Sequence, residues 1–441
     1  MKGRADSEER RRPPRLLAGV ALGACLLIIA GRGAFEAVAS KEIGYVVQAL
    51  ALTLMIALSF GCGFTRRPGQ LRKFVVLYLF ITVEVLSAAY VTFTSATINP
   101  WIYVVVMTMF AFTLWAYGSQ EFAGLAGVNV MAWLAVAGLA SVAVGLMQQS
   151  RLLLAVFPGS DLASGGGIVR PAGLTGSYLH YPLLLSLICF AFLQAWVSTR
   201  RRWYGVLTVV VGLAAVLSFS RSGAVILFVG ILSYVVLSSN VGQRIRMGFA
   251  LVVVGVVVFL AFGESAYWNR YVGGLSSDAA GNQTRITRWS DGLEFWVNSP
   301  FLIGGYTGQF TNVTGNLGGD HAGVLESGLM QQLASFGLVG TVLFYLLMAG
   351  VVLAVRPAHR WLRAGLIGAM LQTLVYQSIE VVPFMVLFAL MPLVSTHIDS
   401  RQSAAETSRP GVAVNKPARK AQMAARAHVP WGTAGIGRIS T

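Results

Sequence analysis

Apolar runs long enough to cross a hydrocarbon core recur along most of the chain, and a polytopic membrane protein is the fold they allow. They lie near 16–35, 44–63, 74–94, 99–117, 124–147, 179–197, 203–219, 223–239, 247–264, 325–355, 363–380 and 383–397. A helix needs about 20 apolar residues to cross roughly 30 Å of lipid. The expected fold is all-α, with about twelve transmembrane helices. Of the 441 residues 56% are hydrophobic and 11% charged, and the mean hydropathy is +0.68, which excludes an ordinary soluble domain.

The remaining charges are placed asymmetrically. Thr65 to Lys73, Arg200-Arg201-Arg202, Arg244 with Arg246, and Arg356 to Arg363 all fall on one side of such an arrangement, as do both basic ends. The positive-inside rule makes that side cytoplasmic. The chain then divides into a basic cytoplasmic N-terminus, 1–15; spans one to nine over 16–264, with an outside loop at 148–178; a large outside segment, 265–324; spans ten to twelve over 325–400; and a disordered basic cytoplasmic tail, 401–441. The formal charge of +16 sits largely at the two ends, where anionic lipid headgroups are the plain partner. No basic surface interleaved with aromatics points to nucleic acid. Ala37-Val38-Ala39 resembles a cleavage site, so the first run also fits a signal peptide, although it is long for one. Cys25, Cys62 and Cys189 lie inside apolar runs, the five histidines are scattered, and no HExxH occurs, so neither a disulfide nor a protein-bound metal is expected.

Four arginines fall on the side that this rule keeps poor in cations, and they point to an anionic ligand. Arg170 opens the glycine-punctuated stretch Arg170-Pro171-Ala172-Gly173-Leu174-Thr175-Gly176, behind a flexible Ser164-Gly165-Gly166-Gly167. Arg221 sits in a two-helix corner, Ser218 to Gly223, at or just within the outer boundary of the hydrocarbon. A charge costs roughly 2.5–3.5 kcal/mol at the bilayer centre, so this one needs a partner, a ligand or an escape to the interface. Arg285 and Arg288 share a helix face with Gly292, while Ile286, Trp289, Leu293 and Trp296 form another. That pattern predicts an amphipathic helix lying in the membrane interface, whose cations equally fit lipid phosphate or, for Arg288, Asp291.

Leu217-Ser218-Phe219-Ser220-Arg221-Ser222-Gly223, Arg288-Trp289, Asn298-Ser299-Pro300, Gly304-Gly305-Tyr306, Glu326-Ser327 and Phe336-Gly337-Leu338-Val339-Gly340, in that order, resemble the membrane module shared by O-antigen ligases and Wzy-type polysaccharide polymerases. The resemblance covers about 165–345 by motif. It implies a GT-C-like, metal-independent glycosyltransferase of the bacterial inner membrane that needs no cofactor and works on the periplasmic side. Its donor is an undecaprenyl-diphosphate-linked glycan, its acceptor a lipid-linked repeat unit or lipid A core, with a chain-length regulator as an optional partner. Arg170, Arg221 and Arg288, helped by Arg285, are the expected diphosphate cradle, since guanidinium forks match phosphate oxygens.

Glycosyl transfer also needs a base for the incoming hydroxyl, and Glu326 and His321 are the candidates. In ligases of the family a His-Asn pair precedes the glycine that opens the last Gly-x-x-Gly; here Glu326-Ser327 takes that offset before Gly337, and His321 comes five residues earlier. A glutamate there implies a polymerase rather than a ligase. Glu326 equally suits a carboxylate at a helix N-terminus, and His321 an ordinary loop residue. Gln331, Gln332 and Trp289 are candidates for sugar or acceptor binding, although the glutamines equally suit helix–helix bonds and Trp289 interfacial anchoring. Tyr267, Trp268, Tyr271 and Trp296 share that second reading. Glu84 is expected to pair with an arginine inside the bundle, and Glu380 to reach the site. The alternative from another class is a secondary transporter, but that would gather polar groups at the bilayer midplane rather than in outside loops.

Overall fold

A computed structural model describes residues 15–61, 70–95, 99–119, 129–152, 164–165, 168–238, 280–312 and 324–407, with a few isolated residues between 241 and 260. The helices are α1 (Arg15–Ala30), α2 (Arg32–Val38), α3 (Lys41–Gly61), α4 (Gln70–Ser95), α5 (Asn99–Ser119), α6 (Val130–Gln149), α7 (His180–Thr199), α8 (Arg202–Val216), α9 (Arg221–Leu237), α10 (Ala280–Val297), α11 (Gly328–Ala354), α12 (Arg360–Val375) and α13 (Val382–Thr407). Every expected span except 247–264 overlaps a helix, the first overlapping both α1 and α2. Most of that run, Cys62, the aromatics at 267–271, the N-terminus before 15 and the tail beyond 407 lie outside the described residues.

Seven helices among the described residues are long and apolar enough to cross a membrane, or up to eight if the bent pair α1 and α2 is one span. The chain is a multi-pass membrane protein. The helices α8, α9 and α12 have 15, 17 and 16 residues. At 1.5 Å per residue they reach only about 22–26 Å, which is why length alone does not class them as crossings. Tyr78, Val209, Phe228 and Leu353 point outward and exposed, a surface suited to lipid. The bundle is built around α13, whose Phe384, Leu387, Phe388 and Val394 are fully buried against α5 and α7. Where α9 meets α12, a Cβ on Gly368 would stand 2.7 Å from the Gly230 nitrogen, a backbone approach of the kind small residues permit between membrane helices.

The first span is bent rather than straight, by 64° at Gly31, and α2 turns across the end of the bundle onto the 3₁₀ turn Gly173–Thr175. Only two glycines allow that contact: a Cβ on Gly33 would lie 2.4 Å from the Gly176 Cα, and Gly176 itself has φ +73°. The same loop is anchored from α6, where the Gln148 Oε1 accepts from the Ala172 and Gly173 N–H groups at 2.8 Å each. Replacing Gln148 by Leu leaves both buried donors unpaired, and we expect it to cost about 1–3 kcal/mol, read as a lower unfolding temperature of the detergent-solubilised protein. Upstream, the glycine tract expected to be flexible instead carries a two-residue antiparallel pair, Ser164–Gly165 with Ile168–Val169.

α11 is broken inside its length. Gly337 has φ 64° and ψ −167°, a conformation essentially confined to glycine, which interrupts the helical ladder. The loop 301–307 repairs the break: Gly305 and Tyr306 N–H donate to the Ala334 carbonyl at 3.2 and 3.1 Å, and Leu338 and Val339 N–H donate to Phe301 and Leu302 carbonyls at 3.1 Å each. Gly304, with φ +73°, lies so close that a Cβ there would meet the Gly337 nitrogen at 2.7 Å. Ser87 closes the clasp from α4 through Thr307 and the Ser335 carbonyl. Glu84, expected to meet an arginine, instead accepts from the Thr108 hydroxyl at 2.8 Å. The reason is topological, because α4 packs mainly against α5 and α11, and neither helix carries an arginine. Cys25 and Cys189 are buried free thiols, as core residues should be.

Candidate active site

A cavity of about 630 Å³ opens at one end of the bundle. The chain's path fixes which end. α7 begins at the cavity with His180 and runs to Arg200–Arg202, and α12 starts beside Arg360 and Arg363 and finishes at Tyr376 on the cavity wall. The basic loops therefore lie at the opposite end.

One wall comes from α10. The expected amphipathic helix over 285–296 is present and extends over 280–297. Its faces are turned as a membrane interface requires: Gly292 is buried against Leu325 and Met330, while Ile286 and Leu293 are 56% and 46% exposed. Phe295 stacks on Phe310 and packs beside Tyr306, tying the helix to the clasp loop. The Trp296 indole, expected as an interfacial anchor, stacks on Phe301 and donates to its carbonyl at 3.1 Å.

This docking carries Arg285 into the cavity, where its Nε donates to the Glu326 carboxylate in a close ion pair. The guanidinium also lies 5.0 Å from the centre of the Tyr376 ring. Burial works against its charge, but the hydrogen bond and charge of Glu326, with Tyr376 adding to them, hold the group above its ordinary value. Glu326 does not cap α11. Ser327 does, accepting from the Met330 N–H at 3.3 Å and donating to the Leu374 carbonyl at 2.6 Å, and so sets the carboxylate just outside the helix start. The Glu326 side chain keeps 37% of its surface exposed, so an incoming group can reach it.

A second ion pair lines the same cavity and was not anticipated. Arg32 on α2 pairs with Glu36, donates to the Tyr45 hydroxyl at 3.2 Å and lies 4.3 Å from the centre of that ring. The sequence hid it inside a run counted as one straight span; Gly31-Arg32-Gly33 was the available signal. His180 and Glu380 also line the cavity, and the Glu380 Oε2 accepts from the Asn312 N–H at 2.9 Å.

The other expected site residues distribute around this centre. Arg170 lies over the ring of Tyr178, a lining residue, at 3.8 Å. Arg221 opens α9 immediately before the lining residue Ser222, and Arg288 follows Arg285 by one turn; both are half-buried and neither lines the cavity. Gln331 and Gln332 are buried in the bundle, bonding to the Phe310 carbonyl and to the Tyr103 hydroxyl, and Trp289 stands partly buried outside the cavity lining. His321 lies outside the described residues, in the stretch joining two lining residues, Asn312 and Val324. Among the described residues no three His, Cys, Asp or Glu side chains converge as metal ligands would.

Fold and site define a class: a multi-pass helical membrane protein with an ion-paired cavity at one end of its bundle. Residues 206–345 match the family described as Wzy_C, O-Antigen ligase. No curated protein matches the chain. The family performs ligase- or polymerase-type glycan transfer in membranes, from lipid-linked glycans. Arg285, Glu326 and Ser222 fall inside the matched stretch, whereas Arg32, Glu36, Tyr178, His180 and Tyr376 lie outside it.

Proposed function

We propose that the protein is a polysaccharide polymerase of the bacterial inner membrane, joining undecaprenyl-diphosphate-linked repeat units on the periplasmic face. The observation that carries this reading is the Arg285–Glu326 pair in a cavity at the end of the bundle opposite the basic loops. Under the positive-inside rule those loops are cytoplasmic and the cavity faces the periplasm. We count α8, α9 and α12 as short crossings, which with 247–264 restores about twelve spans and places both termini in the cytoplasm.

The donor's diphosphate enters between lipid and cavity and takes the Arg285 guanidinium from Glu326, an exchange favoured because a diphosphate offers more charge and bidentate geometry. Arg170, Arg221 and Arg288 complete the cradle around the cavity edge. No metal is needed, since guanidinium groups neutralise the leaving group. The freed carboxylate then accepts the proton of the acceptor sugar's hydroxyl. That oxygen attacks the anomeric carbon, a new glycosidic bond forms, the bond from that carbon to the diphosphate oxygen breaks, and undecaprenyl diphosphate leaves with the electron pair. The pairing with Arg285 thus keeps the base occupied until a donor arrives.

A ligase reading, with lipid A core as acceptor, is favoured by the description of the matched family and makes His321 the base. Product analysis after gene deletion separates the two. A polymerase loss leaves single-repeat caps without long chains, and a ligase loss accumulates lipid-linked polymer. If Glu326→Gln stays active while His321→Ala is dead, the assignment passes to His321.

A further inference from the structure

Arg32 and Glu36 repeat, on a different element, the arrangement seen at Arg285 and Glu326: a guanidinium on a tyrosine face, paired with a carboxylate, lining the same cavity. The Arg32 and Glu36 side chains keep only 11% and 8% of their surface exposed. A buried ion pair of this kind adds little to stability, because desolvation offsets its attraction, so stability alone does not account for it. Nor is the pair saturated. The hydrogen bonds and ion pair of Arg32 use Nε and Nη2, and Nη1 makes no hydrogen bond among the described residues. His180, which lines the cavity within electrostatic reach of Arg32, has a buried Nδ1 with no hydrogen-bond partner among the described residues. Unpaired polar atoms beside a guanidinium in a cavity of about 630 Å³ are the makings of an anion subsite.

Resting on the reading of this cavity as a lipid-diphosphate site, we infer that Arg32 is a second phosphate-binding residue, with Glu36 as a placeholder that the phosphate displaces. The ligand chemistry is a polyprenyl diphosphate, which belongs to both donor and acceptor when the acceptor is itself lipid-linked. No family motif signals this role, because α2 lies far outside the matched stretch.

The test titrates full-length protein in lipid nanodiscs with undecaprenyl diphosphate, using the monophosphate as the comparison. Arg32→Ala is expected to weaken binding about tenfold or more, and Glu36→Gln, which removes the competing carboxylate, to tighten it. Thermal unfolding of the empty proteins checks integrity. If Arg32→Ala does not fold, Arg32→Lys carries the test: it keeps the charge but loses the fork, and should bind about threefold or more weaker. A folded Arg32 variant that binds like wild type overturns the inference, as does a Glu36→Gln variant that binds no tighter. If wild type itself fails to bind, the lipid-diphosphate reading falls and this inference with it. If wild type binds, Arg285→Ala does not, and the Arg32 variants match wild type, only the role of Arg32 falls. In a transfer assay, a raised KM for the donor at unchanged kcat assigns Arg32 to the donor's diphosphate, and a raised KM for the acceptor lipid assigns it to the acceptor's.

Discussion

Glu326→Gln is expected to lower transfer about 10²- to 10⁴-fold while the protein still reaches the membrane and still binds donor lipid. The amide keeps the size of the carboxylate but cannot take a proton. It also gives up the charge that holds Arg285, so donor binding should strengthen rather than weaken. That divergence sets a catalytic carboxylate apart from a structural one. A purely structural partner of Arg285 would lose binding and turnover together, in proportion to lost stability. Kinetics of reconstituted protein alongside a lipid-binding titration read both quantities, and full turnover in Glu326→Gln would remove Glu326 from the chemistry.

Gly337→Ala is expected to be the most damaging single change to the fold. The residue combines φ 64° with ψ −167°, and a Cβ there would meet the Leu302 carbonyl carbon at 2.4 Å. Backbone strain of this kind costs about 1–3 kcal/mol before the clash is counted. The clash also pushes away the loop that satisfies the open backbone groups of α11, so the total should reach about 3 kcal/mol or more. The measurement is the unfolding temperature of purified protein with and without the substitution. Because the clasp loop continues through Phe310 toward Asn312 on the cavity wall, activity should fall with stability. An unchanged unfolding temperature would show that the break in α11 does not depend on glycine.

The helices were legible because lipid demands long apolar runs, and the run at 44–63 or 74–94 has no other stable form in a bilayer. Arg285 was legible as well, because the positive-inside rule expects few cations in its segment and because the helical period sets it on a different face from Ile286 and Leu293. Its partner was not. Arg285 and Glu326 are 41 residues apart in the chain, and only the docking of Gly292 against Leu325 brings them together. Arg32 was missed for a related reason, since hydropathy averages over the two glycines that bend the first span and cannot register a 64° turn. The glycine motifs at 304–306 and 337 could be read as a family mark, but their physical role is a contact between distant backbones that periodicity does not encode. Gln331 and Gln332 show the converse: a polar pair just beyond the site residue turns inward, Gln332 to the Tyr103 hydroxyl on α5 and Gln331 to the Phe310 carbonyl.

The central claim is that a lipid's diphosphate takes Arg285 from Glu326 inside this cavity. A structure of the full-length protein in nanodiscs with undecaprenyl diphosphate bound tests it most directly. The account predicts phosphate oxygens at about 3 Å from the Arg285 guanidinium and the Glu326 carboxylate released toward the acceptor side. Phosphates seated elsewhere, with the Arg285–Glu326 pair intact, would contradict it.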